Sequence, residues 1–201
     1  MTLETSIVVH VVDDDAALRD SLAWLLESHG MAIEEYRSAD EFLRAYRPHP
    51  HACLLLDVRM PGITGLELQD RLLQKGIDVP TVFITAHGDV PMAVEAIRKG
   101  ALDFLEKPFD EEQLLCAIRR AAQGREHSPR KADAAFLERL ATLGAREREI
   151  LDLVVTGKLN KIIAIELGIS IKTVERHRKL AMVKLQVTSL ADLVKRMLSV
   201  G

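Results

Sequence analysis

A chain of 201 residues, 48% apolar and 28% charged with few aromatics, has the composition of a soluble globular protein. It is long enough for one large domain or two small ones. No apolar run approaches the roughly 20 residues that cross a bilayer, and the start, Met-Thr-Leu-Glu-Thr-Ser, lacks the basic stretch and small-residue cleavage site of a secretory signal, so a cytoplasmic protein is expected.

The net charge of −3 conceals a split. Residues 1–123 carry 12 Lys+Arg against 21 Asp+Glu, whereas residues 124–201 carry 15 against 9. Such asymmetry argues two domains with different partners, the basic one a candidate for nucleic acid. The two cysteines, Cys53 in a strand-like run and Cys116 on what reads as the apolar side of a helix, are expected to be core residues of a reducing compartment and not a disulfide.

In chain order, the first 123 residues alternate between strand and helix patterns. An apolar run at Ile7–Val12 reads as the first strand. Leu18, Leu22, Leu25 and Leu26 mark one face of a helix that stops at Gly30. A short strand near Ala32–Tyr36 precedes Ser38-Ala-Asp-Glu41, whose serine and glutamate have the spacing of a capping box. The run Ala52–Leu56 is apolar without alternation, as a central strand buried on both faces should be. Thr64-Gly-Leu-Glu67 repeats the capping box before a helix ending near Gly76, and Thr81–Ile84 is the fourth strand. Pro91 fits the first turn of a helix over Val90–Lys99, Phe104-Leu105 is a short fifth strand, and Glu111–Gln123 a fifth helix. This repetition predicts a five-stranded parallel, doubly wound, flavodoxin-like sheet with helices on both faces over residues 1–123. Residues 124–135, polar and holding Pro129, read as a linker. Residues 136–201 show no strand pattern and are expected to form a small all-helical domain, with helices at Phe136–Thr142, Arg146–Val155, Lys161–Leu167, Ile171–Leu185 and Leu190–Leu198.

Asp14, Asp57, Thr85 and Lys107 each stand beside or just past one of the strand-like runs, so parallel strands would gather them at one rim, where open α/β sheets bind ligands. Asp14 and Asp57 would supply hard oxygen ligands to a magnesium ion, the backbone carbonyl of Arg59 a third, and Asp13 a partner for a metal-bound water. Lys107 would lower the repulsion between a carboxylate nucleophile and a phosphoryl donor, and Thr85 would bond a phosphoryl oxygen afterwards.

The motifs Val-Val-Asp13-Asp14-Asp15, Leu-Asp57-Val-Arg-Met-Pro61-Gly62, Phe-Ile-Thr85-Ala86 and Phe-Leu-Glu-Lys107-Pro108-Phe resemble the receiver domain of bacterial two-component response regulators, over about residues 6–122. Thr85-Ala-His-Gly-Asp-Val-Pro-Met-Ala-Val is similar to the nitrogen-fixation (FixJ-type) subgroup. The resemblance implies that Asp57 takes a phosphoryl group from a sensor histidine kinase, that Asp13, Asp14, Asp57 and the Arg59 carbonyl bind magnesium, and that Thr85 and Lys107 contact the phosphoryl oxygens. It further implies a cis Lys107–Pro108 bond, a switch pairing Thr85 with Phe104, and dimerisation through the surface of Val90–Lys99 and the last strand. Arg59 and His87 stand where the family tunes phosphoryl lifetime. Neither is a base aimed at water, so slow autodephosphorylation is expected.

In the basic half, Lys161–Leu167, Gly168 and Ile171–Leu185 have the spacing of a helix-turn-helix. Ile162, Ile163, Ala164, Leu167, Ile169 and Val174 are expected to lock the pair together. Lys172, Thr173, Arg176, Arg178, Lys179 and Lys184 leave a cationic surface on the second helix, with Glu175 and His177 among them. Lysine and arginine there suit phosphates and guanine edges. Arg146-Glu147-Arg-Glu149, Asn160-Lys161-Ile-Ile-Ala164, Leu-Gly168-Ile-Ser170 and Thr173-Val174-Glu175-Arg-His177-Arg178 resemble the LuxR-type DNA-binding domain, over about residues 140–198. By that resemblance Ile171–Leu185 enters the major groove, Glu175, Arg176 and Lys179 stand where bases are read, and Lys161, Lys172 and Thr173 face phosphates. His177 is expected to pack inside.

The expected function is a transcription regulator switched by phosphorylation of Asp57, dimeric when phosphorylated, bound to a two-fold DNA site and acting on RNA polymerase. An aspartyl-phosphate phosphatase would need a second carboxylate, commonly two residues past the nucleophile, where this chain has Arg59. A phospho-gated adaptor for protein or RNA has less need of an arginine-bearing recognition helix.

Overall fold

The computed structural model of the chain describes residues 7–85, 90–123, 129–187 and 189–200. Among these, β1 (Val8–Val12), α1 (Ala16–Ser28), β2 (Ala32–Tyr36), α2 (Ala39–Ala45), β3 (Ala52–Asp57), α3 (Gly65–Gln74), β4 (Thr81–Thr85), α4 (Val90–Arg98), β5 (Asp103–Glu106) and α5 (Glu111–Ala122) alternate in the expected order. The helices α6 (Pro129–Ala141), α7 (Ala145–Val155), α8 (Asn160–Leu167), α9 (Ile171–Leu185) and α10 (Leu190–Val200) follow. The chain forms two compact units. One holds the five strands with α1, α2, α3 and α5, and the other holds α4 with α6 to α10. The contacts of α4, through α10 and through Arg98 Nη2 donating to the Val155 carbonyl at 3.3 Å, thus group it with the helical unit, although the β-α pattern places it among the first 123 residues.

In the first unit the strands pair in parallel in the order β2-β1-β3-β4-β5. The order reverses at β1 and β3, and there the crevice of a doubly wound sheet opens beyond the strands' C-terminal ends. β3 is buried at all six positions, as its unbroken apolar run requires. Val9, Val11, Cys53, Leu55, Val82 and Ile84 pack with Leu22 and Leu26 of α1 and with Leu114 and Ile118 of α5. Leu54, Leu56, Phe42 and Leu68 are also fully buried. The edge at β2 is closed by an aromatic group in which the His10 ring lies 5.1 Å from that of Tyr46 and 5.9 Å from that of Phe42.

Local chemistry explains where the helices begin. Asp15 caps α1 by accepting from Ala17 N and Leu18 N. Thr64 and Glu67 form the complete reciprocal box before α3. At α2 only half of the expected box forms: Ser38 accepts from Glu41 N, but Glu41 Oε2 takes Arg37 N at 2.8 Å. Cys116 is exposed, contrary to the core role expected of it. The period of α5 turns Leu114, Ala117, Ile118 and Ala121 inward and leaves position 116 outward.

In the second unit, α6 begins at Pro129, inside the stretch read as linker, since proline suits the first helical position. Phe136, Ile150, Leu151, Val154, Ile163, Val174, Ala181, Leu185, Leu193 and Val194 are buried. Of the residues expected to lock α8 to α9, Ile163, Ala164 and Val174 are buried and Leu167 and Ile169 half-buried, whereas Ile162 is 41% exposed on the outer side of α8.

Candidate functional site

The chain leaves β1 at Asp13, β3 at Asp57 and β4 at Thr85, so parallel pairing alone gathers these three at one rim of the sheet. Lys107 follows β5, and its backbone N–H bonds the Thr85 carbonyl at 2.7 Å, which draws the lysine over the same rim. The peptide between Lys107 and Pro108 is cis. The Lys107 ammonium donates to Asp13 Oδ2 at 2.8 Å and to Asp57 Oδ1 at 2.9 Å. Asp57 Oδ2 accepts from Arg59 N at 2.7 Å, and Asp13 Oδ1 from Asp15 N at 2.9 Å. Each carboxylate is therefore held at both oxygens.

Asp13 and Asp57 are 1% and 5% exposed, and that burial sets their chemistry. Burial raises the Asp57 pKa above the ordinary carboxylate range, and the neighbouring Asp13 charge adds to the rise. Lys107 and Arg59 N oppose it. For Lys107, burial works downward, but the hydrogen bonds and charges of Asp13 and Asp57 carry its pKa above the usual lysine value. The result is a desolvated, more basic carboxylate beside a firmly charged ammonium, the arrangement a carboxylate nucleophile needs.

Of the expected site residues, the structure brings Asp13, Asp57 and Lys107 into direct contact. Asp14 is exposed, and among the described residues no three His, Cys, Asp or Glu side chains converge as a metal site. Two buried carboxylates already sharing a cation are nonetheless a hard-oxygen donor set that fits magnesium. Thr85 is buried at the end of β4. Phe104 is buried with its ring 6.5 Å from that of Phe83, its partner across the β4–β5 register. His87 lies outside the described residues. Arg19 was not anticipated: its Nη1 donates to the Asp13 carbonyl at 2.7 Å and its Nε stands 3.7 Å from Glu35, fixing the turn that leaves β1. An arginine one turn into the helix after an acidic strand end was the available signal.

In the helical unit α8 ends at Gly168, in the left-handed conformation, and Ser170 caps α9 by accepting from Thr173 N. Arg146 spans from Glu149 to the terminal carbonyl of Leu167, tying α7 to the turn between α8 and α9. Lys161, Lys172, Glu175, Arg176 and Lys179 are exposed, Arg178 and His177 half-buried, and Thr173 half-buried with its hydroxyl on Ser170. His177 turns its Nδ1 inward, in keeping with a packing role. Lys184, counted with the cationic surface from sequence, instead pairs with the buried Glu147 of α7 at 2.7 Å.

A family model described as the response regulator receiver domain matches residues 9–119, and one described as bacterial regulatory proteins of the luxR family matches residues 141–197. The chain belongs to the LuxR-type two-component response regulators. It is 47% identical over 201 residues to the transcriptional regulatory protein FixJ of Azorhizobium caulinodans, covering 98% of this chain and 94% of that protein. It is 44% identical over 192 residues to the response regulator protein TodT of Pseudomonas putida, covering 94% and 84%. The crystal structure of full-length FixJ from B. japonicum, 41% identical, matches 96% of this chain and 97% of its own with a TM-score of 0.56.

The first of these relatives is named as a transcriptional regulatory protein and the second as a response regulator. For a response regulator of this type the receiver domain implies a sensor kinase as partner, and the LuxR-type domain implies DNA. No helix among the described residues is long and apolar enough to cross a membrane.

Proposed function

We propose that this response regulator accepts a phosphoryl group on Asp57 from a sensor histidine kinase in the cytoplasm, dimerises in that state, and then binds a two-fold DNA site with α9 in the major groove, where it acts on RNA polymerase. The observation that carries the reading is the contact of Lys107 with both Asp13 and Asp57 at 2.8 and 2.9 Å at the switch point of the sheet. In the transfer a bond forms between an Asp57 carboxylate oxygen and phosphorus while the bond from phosphorus to the kinase histidine nitrogen breaks. Asp57 is the nucleophile, and burial makes it more basic. Lys107 offsets negative charge on the transferring oxygens, and the Thr85 hydroxyl donates a hydrogen bond to one of them in the product. Asp13, Asp14, Asp57 and the Arg59 carbonyl would hold magnesium, which when bound supplies further charge neutralisation. Thr85 drawn inward would let Phe104 follow, altering the surface of α4 and β5. This chemistry is confined to the chain's own Asp57.

Opposite charges on the two halves of the chain, from 21 acidic residues against 12 basic to 9 against 15, favour masking of the basic half before phosphorylation. On DNA, Lys161, Lys172, Thr173 and Arg178 would meet phosphates, and Glu175, Arg176 and Lys179 base edges. A dimer making roughly ten phosphate contacts would bind with a steep dependence on salt.

The test is sedimentation equilibrium in magnesium with and without beryllofluoride, using Asp57→Asn as control. A monomer that becomes a dimer only when Asp57 is intact supports the reading. An unchanged mass on adding the mimic would remove dimerisation as the transmitting step.

A further inference from the structure

In the helical unit, carboxylates near cations are paired. Glu147 holds Lys184, Glu149 holds Arg146, Asp152 holds Arg148, Glu166 holds Lys158 and Asp192 holds Arg196, all within 3.0 Å. Glu175 departs from that pattern. It is exposed in the second turn of α9, with Lys172 three residues before it and Lys179 four residues after it. Both spacings place opposite charges side by side on a helix, and the order Glu then Lys at four residues is the better one. Yet among the described residues Glu175 forms no ion pair with either lysine. Nor does the helix dipole explain a carboxylate there, because Glu175 lies beyond the first turn of α9, where that effect fades.

A carboxylate on a surface that must approach phosphates is costly unless something on the DNA donates to it. Phosphates and most base edges of the major groove present acceptors. Donors come from the exocyclic amino groups of cytosine (N4) and adenine (N6). Adenine sets its donor beside the N7 acceptor, which a carboxylate meets unfavourably, so cytosine N4 is the partner that glutamate matches. The cations around Glu175 suit the opposite requirement: Lys179, one turn away on the same stripe, and Arg176 beside it can meet the O6 and N7 acceptors of guanine. A carboxylate left unpaired in the protein is therefore available to the base, and repels any duplex that fails to supply the donor.

We propose that Glu175 is a specificity-determining residue of the recognition helix, selecting a cytosine at one position of each half-site and weakening binding to DNA that lacks it. This rests on the reading of α9 as the helix that enters the major groove.

The experiment uses the full-length chain with magnesium and beryllofluoride, selecting bound duplexes from a randomised DNA pool and sequencing them, for the wild type, Glu175→Gln, Glu175→Ala and Glu138→Gln. Glu138 is exposed on α6 and controls for the loss of one charge anywhere on the unit. The wild type is expected to enrich a motif with one fixed C·G pair per half-site. Both Glu175 variants are expected to lose the cytosine preference there by about tenfold, to keep the remaining positions, and to bind random-sequence duplex about threefold or more tightly. Glu138→Gln should change neither quantity. The near-isosteric glutamine keeps the fold, which thermal melting checks. Variants that enrich the full wild-type motif, or that lose every position together without tighter binding to random DNA, overturn the role given to Glu175 alone. A wild type that enriches no motif overturns the groove-reading assignment of α9 and this inference with it.

Discussion

Gly65 opens α3 where the chain turns back beneath Asp57, the proposed phosphoryl acceptor, its N–H bonding the Val58 carbonyl at 3.0 Å. A methyl group on it would overlap the Asp57 carbonyl oxygen and stand 3.1 Å from both the Asp57 carbonyl carbon and Phe83 Cε1. The oxygen and carbon belong to the backbone of the central strand, so no rotamer change relieves the clash, and α3 and β3 must part by about 1 Å. Overpacking of a core costs about 1–3 kcal/mol, and a clash against backbone belongs at the top of that range, about 3 kcal/mol for Gly65→Ala. That is a large share of the roughly 5–15 kcal/mol that holds a domain together. A displacement of that size at a reacting group also costs about a hundredfold in rate. Urea unfolding, followed by pulsed hydrogen exchange so that peptides of the sheet are read separately, measures the first effect. Mass spectrometry of phosphoryl uptake from acetyl phosphate measures the second. Gly62→Ala is the comparison: it sits at φ 79° with nothing within 4 Å of the added methyl, so its cost is conformational, about 1 kcal/mol, and uptake should persist. A Gly65→Ala protein as stable as the wild type, or no less stable than Gly62→Ala, would refute the reasoning.

Lys107→Ala leaves Asp13 and Asp57 as adjacent buried carboxylates without their shared cation. Stability without divalent ions should fall by about 2 kcal/mol, at the low side for a broken buried pair because the lysine side chain is 21% exposed, and magnesium should recover more of it in the variant than in the wild type, as thermal melts would show. Glu147 accepts from Gly144 N at 2.8 Å as well as from Lys184, so Glu147→Ala should cost about 1–2 kcal/mol in denaturant unfolding. The Lys184 bond, then Gly144 N, hold the Glu147 carboxyl below its ordinary range. The stability it contributes is present above the unfolded-state pKa of about 4.3 and is lost as pH falls through the lower folded value, so the acid dependence below that point should flatten in the variant. His10 is 1% exposed, and its burial lowers its pKa against the opposing pull of Glu34. The unfolded chain then binds the proton more readily, so stability is full above about pH 6.5 and falls as pH drops towards the folded-state value. Melting between pH 7.5 and pH 5 should fall more steeply in the wild type than in His10→Leu, and parallel curves would remove His10 as the cause.

The sheet and the rim were legible because they depend on order and period alone. Once Ile7–Val12, Ala52–Leu56 and Thr81–Ile84 are parallel strands, the residues that follow them share an edge, whatever their side chains do. What escaped the sequence depends on a neighbour far away in the chain or on choosing between two readings of one residue. Lys184 meets Glu147 37 positions away, and a helical wheel of α9 shows a cation on the surface without showing that α7 brings it a partner. Cys116 and Ile162 were assigned inward by residue type where the period of their own helices turns them outward. Apolar character is a weaker guide than phase, because a folded surface is itself more than half apolar.

The run Asp13-Asp14-Asp15 shows where residue identity stops being informative. Three identical side chains in succession take three different positions, because β1 ends and α1 begins within them. Asp13 still belongs to the rim of the sheet and is buried against Lys107. Asp15 already has the extended backbone of a helix cap and accepts from Ala17 N and Leu18 N, so its charge serves α1. Asp14, between them, is exposed. Asp15 N bonds Asp13 Oδ1 and Arg19 bonds the Asp13 carbonyl, so the helix that Asp15 starts is also what holds Asp13 in place. Capping a helix and forming the proposed phosphoryl site are therefore not alternative roles for the run: the cap orients Asp13, and moving the acidic run by one residue would cost both.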